Sequence, residues 1–307
     1  MKWIEKKLFL SEIIDMFIKH CIIEKHLDEK TIKAYKTDLF QLREIINNIP
    51  IVKLSKDDIR EYLQKISHYS HKTIKRKIAS LRAMLNYYEC ENESYINPMR
   101  RMQIRMREPI RLPEVMTIEE VGRILADVRS CYGQDGRISH LLHVRNIAII
   151  ELLFASGIRV SELCNLRMRD VDLSAGRIRI IGKRDKERIV DICQEATINS
   201  LTEWVNMYKE TNTDAPFFIS RLHNKLSPQS VRALVRQLRT HAGINKHITP
   251  HTFRHTYATL LLEEDVDITY IQHLLGHSSI STTQIYTHVN LQKQHEIILN
   301  KHPRRLL

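Results

Sequence analysis

The sequence predicts a mainly helical α+β protein in two domains. Three observations carry this: helical periodicity with no strand-like alternation up to about residue 97, a proline-broken basic stretch after it, and one β-rich segment, 176–193, set in helical sequence beyond. Segments at 8–24, 29–47 and 56–67 read as amphipathic helices, with Asp28 and Ser55 placed as N-caps of the second and third. In "KTIKRKIASLRAMLNYYE", 72–89, Ile74, Ile78, Leu81, Leu85 and Tyr88 recur at helical spacing and mark one buried stripe. Lys72, Lys75, Arg76 and Arg82 lie off that stripe. Together these segments make a small helical bundle.

The junction "INPMRRMQIRMREPIRLPE", 96–114, has three prolines and five arginines against two glutamates. Such a run denies helix and suits an extended basic connection, so the domains are expected at 1–103 and 114–307 with a linker at 104–113. Thr117 with Glu120 is a capping-box signature for a helix over about 118–129. "SHLLHVRNIAIIELLFASG", 139–157, reads as a mostly buried helix stopped by Gly157. "GRIRIIGKRDKERIVDIC" has two β-rich runs around a polar turn at 182–187, a hairpin. The helix at 227–243 takes Ser227 as cap, Pro228 at its first position and Gly243 as stop. Arg232, Arg236 and Arg239 form a cationic face opposite its Val231, Leu234, Val235 and Leu238.

Composition narrows the class. The longest apolar run, "IAIIELLFA", is short and holds Glu151, far from the roughly 20 apolar residues a membrane span needs. The N-terminal "MKWIEKKLFLSEII" has no cleavable-signal pattern, so a cytoplasmic protein is expected. Cys21, Cys90, Cys131, Cys164 and Cys193 show no paired spacing, against a disulfide framework or a thiolate zinc site; they are expected to be reduced and mostly buried. A net charge of +12 points to a polyanionic partner, a property shared by ribosomal, membrane-surface and DNA-binding proteins.

Scattered polar residues then suggest chemistry. In "ITPHTFRHTYATLLLEE", Thr249 caps and Pro250 opens a helix, which sets His251 and Arg254 three apart in its first turn, where backbone amides favour an anion. Arg159 in "ASGIRVSEL" stands at the opening of a helix just past Gly157; a structural bridge to Glu162 is its plainer role. Lys183 falls in the hairpin turn, and His277 directly follows Gly276 at a helix stop. Tyr286, in "TTQIYTHV", could simply pack. Two arginines, a lysine, two histidines and a tyrosine without a carboxylate cluster suit phosphoryl transfer from DNA to an amino-acid hydroxyl, since positioned cations stabilise the charge on the non-bridging oxygens without a metal.

In order and spacing, "ASGIRVSELCNL", "IIGKRDKERIV", "TPHTFRHTYAT" and "LLGHSSISTTQIYTHV" resemble the boxes of the tyrosine recombinase family, the phage integrases and Xer recombinases. The resemblance spans nearly the whole second domain, and the helical first domain with "INP" looks like that family's core-binding domain, the pair forming a clamp around DNA. It implies Tyr286 as nucleophile, Arg159 and Arg254 as phosphate clamps, Lys183 as general acid, and His251 and His277 as proton-handling or phosphate-bonding partners. It further implies a 3′-phosphotyrosyl intermediate and a free 5′ hydroxyl, with no cofactor and no metal. The expected partners are double-stranded DNA with paired recombination sites and further copies of the chain: a homotetramer on DNA that passes through a four-way junction, and a monomer or weak oligomer when free.

DNA contacts are expected from Lys72, Lys75, Arg76, Arg82, Arg232, Arg236 and Arg239. The tail "NLQKQHEIILNKHPRRLL", with Leu291, Ile297, Ile298 and Leu299, would dock on a neighbouring protomer or pack in cis. No extra N-terminal arm-binding domain is evident, which leans toward an Xer-like or transposon enzyme. Three rivals stand beside this reading. A metallohydrolase would use the H-x-x-x-H pairs His251/His255 and His273/His277 but leaves the arginines and Tyr286 without a task. The others are a catalytically silent DNA-binding protein of the same fold and a type IB topoisomerase.

Overall fold

A computed structural model describes residues 8–104, 114–130, 140–182 and 187–276 of the 307-residue chain. The chain divides into two compact units, Met1–Ile110 and Arg111–Leu307. The first unit is helical: α1 Leu10–Ile23, α2 Glu29–Ile46, α3 Lys56–Lys65 and α4 His71–Glu91. Asp28 and Ser55 cap α2 and α3 as expected, accepting from Thr31 N at 2.9 Å and Asp58 N at 3.2 Å. Leu10, Ile13 and Phe17 of α1 meet Leu39 and Leu42 of α2 and Leu81, Met84 and Leu85 of α4 in one core.

The stripe of α4 differs from its sequence pattern at two positions. Ile74 is only half-buried, whereas Lys77 is 4% exposed. The reason is Asp38, buried on α2, whose carboxylate accepts from Lys77 Nζ at 3.1 Å, Ser80 Oγ at 2.9 Å and Arg76 Nη1 at 2.5 Å. A lysine can enter a core when a carboxylate and further donors satisfy one another there.

The second unit contains α5 Ile118–Ser130, α6 His140–Ser156, α7 Val160–Asn165, β1 Val171–Asp172, β2 Arg177–Ile181, β3 Glu187–Asp191, α8 Glu195–Tyr208, α9 Pro228–His241, α10 Pro250–Glu263 and α11 Ile268–Leu275. The strands form an antiparallel sheet in the order β1-β2-β3, so the hairpin carries a short third strand that its sequence pattern did not announce. The helix α8 was also unannounced. It buries Leu201 and Trp204, and the indole Nε1 donates to Phe217 O at 2.8 Å.

The central helix is α6, packed by α5, α8 and α10. That enclosure explains its apolar run Ile147–Ala155, broken only by Glu151, for most of the helix past its first turn is buried. Its one carboxylate, Glu151, is 5% exposed and is held by Arg129 Nη2 at 2.5 Å and Thr197 Oγ1 at 3.2 Å. α6 stops at Gly157, whose φ of +56° is left-handed. A Cβ there would stand 2.7 Å from the Tyr257 ring and 2.9 Å from Leu275, so glycine also lets α10 and α11 close on the end of α6.

Cysteine burial departs from expectation: Cys21 and Cys164 are buried, but Cys90, in the last turn of α4, and Cys193, in the connection between β3 and α8, are exposed. Cys131 lies outside the described residues. Among the described residues no helix is long and apolar enough to cross a membrane.

Candidate active site

Four elements of the second unit meet at the C-terminal end of α11. Thr249 caps α10, accepting from Thr252 N at 3.3 Å, with Pro250 at the first helical position. His251 is exposed in this first turn, whereas Arg254 points inward and is 4% exposed. Its Nη1 donates to Gly157 O at 2.8 Å and its Nη2 to Leu275 O at 2.6 Å, so one guanidinium ties the end of α6 to the end of α11.

Arg159 is the N-cap residue of α7. Its Nη1 donates to Glu162 Oε1 at 2.7 Å and its Nη2 to Gly276 O at 2.9 Å, with a third of the side chain exposed. The structural bridge to Glu162 is therefore present, and it does not exclude chemistry, because the same guanidinium reaches across to α11. Glu162 is 6% exposed and also accepts from Arg188 of β3, Nη1 at 3.0 Å and Nη2 at 2.8 Å. Burial pushes the Glu162 carboxyl up, but Arg188, and then the backbone N–H and guanidinium of Arg159, outweigh it and hold the pKa at about 2. The carboxylate stays charged.

Among the described residues, the contacts set Arg159, Arg188 and Arg254 against the single carboxylate of Glu162, a surplus of positive charge. The carbonyls closing α11 offset it only as partial charges. Cations so placed suit an anion with several oxygens, and guanidinium forks match phosphate. Beside them His255 is held neutral: burial, then the positive neighbours His251 and Arg254, lower its pKa to about 4.

Of the six residues singled out for chemistry, Arg159 and Arg254 converge on adjacent carbonyls and His251 shares the helix of Arg254. Lys183, His277 and Tyr286 lie outside the described residues, as do the tail residues Leu291, Ile297, Ile298 and Leu299. In the first unit, Lys72, Lys75, Arg76 and Arg82 are exposed along α4, though Arg76 is tied to Asp38. On α9, Arg232 and Arg236 are exposed and Arg239 is half-buried, opposite buried Val231, Val235 and Leu238. Among the described residues no three His, Cys, Asp or Glu side chains gather as metal ligands would.

Arg188 was missed by sequence reasoning. The signal was there: in the register of the hairpin it pairs with Ile180, and Val190 with Ile178, which puts an arginine on the strand face that is otherwise apolar.

A helical unit is followed by a mixed one whose arginines gather at one helix end in a form that suits a phosphate, and comparison with known proteins identifies the class as DNA strand-transfer enzymes. Residues 14–92 match the phage integrase N-terminal SAM-like domain and residues 114–293 the phage integrase family. A tyrosine recombinase of Agathobacter rectalis is 44% identical over 301 residues, covering 96% of this chain and 98% of the relative. The crystal structure of XerH bound to palindromic difH in a post-cleavage complex shares the fold, with TM-score 0.75 and 23% identity over 94% of this chain and 83% of that one. So does a lambda integrase tetramer bound to a Holliday junction, with TM-score 0.70 and 19% identity over 91% of this chain and 78% of the other. The chain belongs to the phage integrase family and is a tyrosine site-specific recombinase.

Proposed function

We propose that this recombinase breaks and rejoins DNA by transesterification at the cluster around the end of α11. Tyr286 attacks the scissile phosphorus, Arg159 and Arg254 stabilise the charge on its non-bridging oxygens, and Lys183 protonates the departing 5′ oxygen. His251 and His277 handle the tyrosine proton or bond the phosphate. The tyrosine becomes joined to the 3′ phosphate as one P–O bond replaces another. The freed 5′ hydroxyl of a partner strand later reverses the step, so no nucleotide hydrolysis and no cofactor are needed. The observation that carries this reading is the convergence of Arg159 and Arg254 on Gly276 and Leu275, with cations in surplus among the described residues around them.

Exchange of both strands between two duplexes needs four nucleophiles, which supports a homotetramer on paired sites acting through a four-way junction, with a monomer or weak oligomer free in the cytoplasm. Lys72, Lys75, Arg76 and Arg82 of α4 and Arg232, Arg236 and Arg239 of α9 would meet the phosphate backbone, the domains at 1–103 and 114–307, joined by the 104–113 linker, each contributing a basic face. The test is a nicked suicide duplex carrying the recombination site: the protein is expected to become covalently joined to the 3′ end, and Tyr286→Phe to abolish the adduct while retaining DNA binding. An adduct that persists in Tyr286→Phe, or relaxation of plasmids lacking any paired site, overturns the assignment.

A further inference from the structure

Arg188 stands where phosphate clamping alone does not call for a cation. Only 14% of its side chain is exposed, and each of its nitrogens is engaged: Nη1 and Nη2 on the two oxygens of Glu162, Nε on Leu274 O at 3.2 Å. Arg254 takes Leu275 O and Arg159 takes Gly276 O. Three guanidiniums from three elements thus hold three successive carbonyls at the end of α11. Gly276 fits this clasp twice over, since its φ is +63° and a Cβ would lie 3.0 Å from Arg188 Nη1 and 3.2 Å from its Cδ.

We propose that Arg188 is a positioning residue for strand cleavage, acting on Arg159 through their shared carboxylate and on the α11 terminus through Leu274. This rests on the assignment of Arg159 as a phosphate clamp. Glu162 shared between two guanidiniums holds each less tightly than it would hold one, which leaves Arg159 able to turn its fork to a phosphate. Without Arg188 the carboxylate has, among the described residues, Arg159 alone and competes with the scissile phosphate for it. At the same time the Leu274 carbonyl loses its donor, and the chain runs from that helix end directly into His277. A lysine cannot replace these contacts, because one ammonium cannot span both carboxylate oxygens and the carbonyl in a planar fork.

Single-turnover cleavage of the nicked duplex at saturating protein, measured beside DNA affinity and thermal unfolding, tests this. Arg188→Met is expected to slow adduct formation by about 10²-fold, the cost of a small misplacement of reacting groups, with affinity unchanged. Arg188→Lys, which keeps charge and bulk, recovers only part of the rate. Adding Glu162→Gln to Arg188→Met is expected to restore some rate, a non-additive gain that a merely structural role does not produce. Wild-type cleavage by Arg188→Met or Arg188→Lys, or a double variant no faster than Arg188→Met, overturns the role of Arg188 and leaves the recombinase site intact. A wild-type chain that forms no adduct instead overturns the clamp assignment and this role with it.

Discussion

Arg254 shows how much one buried side chain decides. Its guanidinium closes two helix ends at once, on Gly157 O and Leu275 O. Arg254→Lys cannot serve both carbonyls, and a buried acceptor left without a donor costs about 1–3 kcal/mol. Thermal or denaturant unfolding should show that loss, and cleavage should fall by about 10²-fold or more if the same group stabilises the phosphate. His255 and Glu162 give the stability a defined pH dependence. The folded pKa of His255 is depressed from 6.5 to about 4, so the unfolded chain binds the extra proton and stability falls as pH drops from 6.5 toward 4. Glu162 is depressed from 4.5 to about 2, so its contribution is complete above 4.5 and is lost as pH falls through 2. Unfolding measured from pH 7 to 4 should show the first loss, and His255→Gln should flatten it.

Among the elements, α11 owes its termination to glycine. Gly276→Ala forces a left-handed φ on a Cβ-bearing residue, at about 1 kcal/mol, and pushes against Arg188. A modest drop in unfolding stability with a larger drop in adduct formation is the expected pattern. Gly157→Ala is expected to be worse in stability, because besides its left-handed φ the added Cβ meets the Tyr257 ring at 2.7 Å and the buried Leu275 at 2.9 Å, closer than either contact can stand without a shift. The helix α9 belongs to the opposite case, a polar face over a buried one. Arg232→Ala and Arg236→Ala leave Val231 and Val235 in place, so the fold should hold. Each is expected to weaken DNA binding across sequences and to reduce the slope of log affinity against log salt by about 1, measured by titration at several ionic strengths.

For the molecule as a whole, two units with separate cores divide the work. The first unit presents α4 lysines and arginines over a core of its own, and the second carries the arginine clasp. The charge surplus of +12 is what the DNA contacts proposed for both units need. Much of the architecture was legible because it is local. Caps such as Asp28, Ser55, Thr117 and Thr249, and stops such as Gly157 and Gly276, act within a few residues and announce themselves by type and spacing. α8 and β1 were not legible: α8 lacks a side-chain cap, and β1 is two residues long and exists only by pairing with β2.

The sequence by itself determined the helical and hairpin segments, the two-part organisation, the ordered boxes that mark a tyrosine recombinase and the choice of Arg159 and Arg254 as cations to watch. Only the tertiary structure decided that Lys77 belongs to a core, that Glu162 bridges two arginines, and that Arg188 joins Arg159 and Arg254 at one helix end. The physical reason is distance along the chain. Arg188 and Leu274 are 86 residues apart and Arg159 and Gly276 117 apart, so no periodicity or capping rule connects them, and their electrostatic balance arises only when packing brings the elements together.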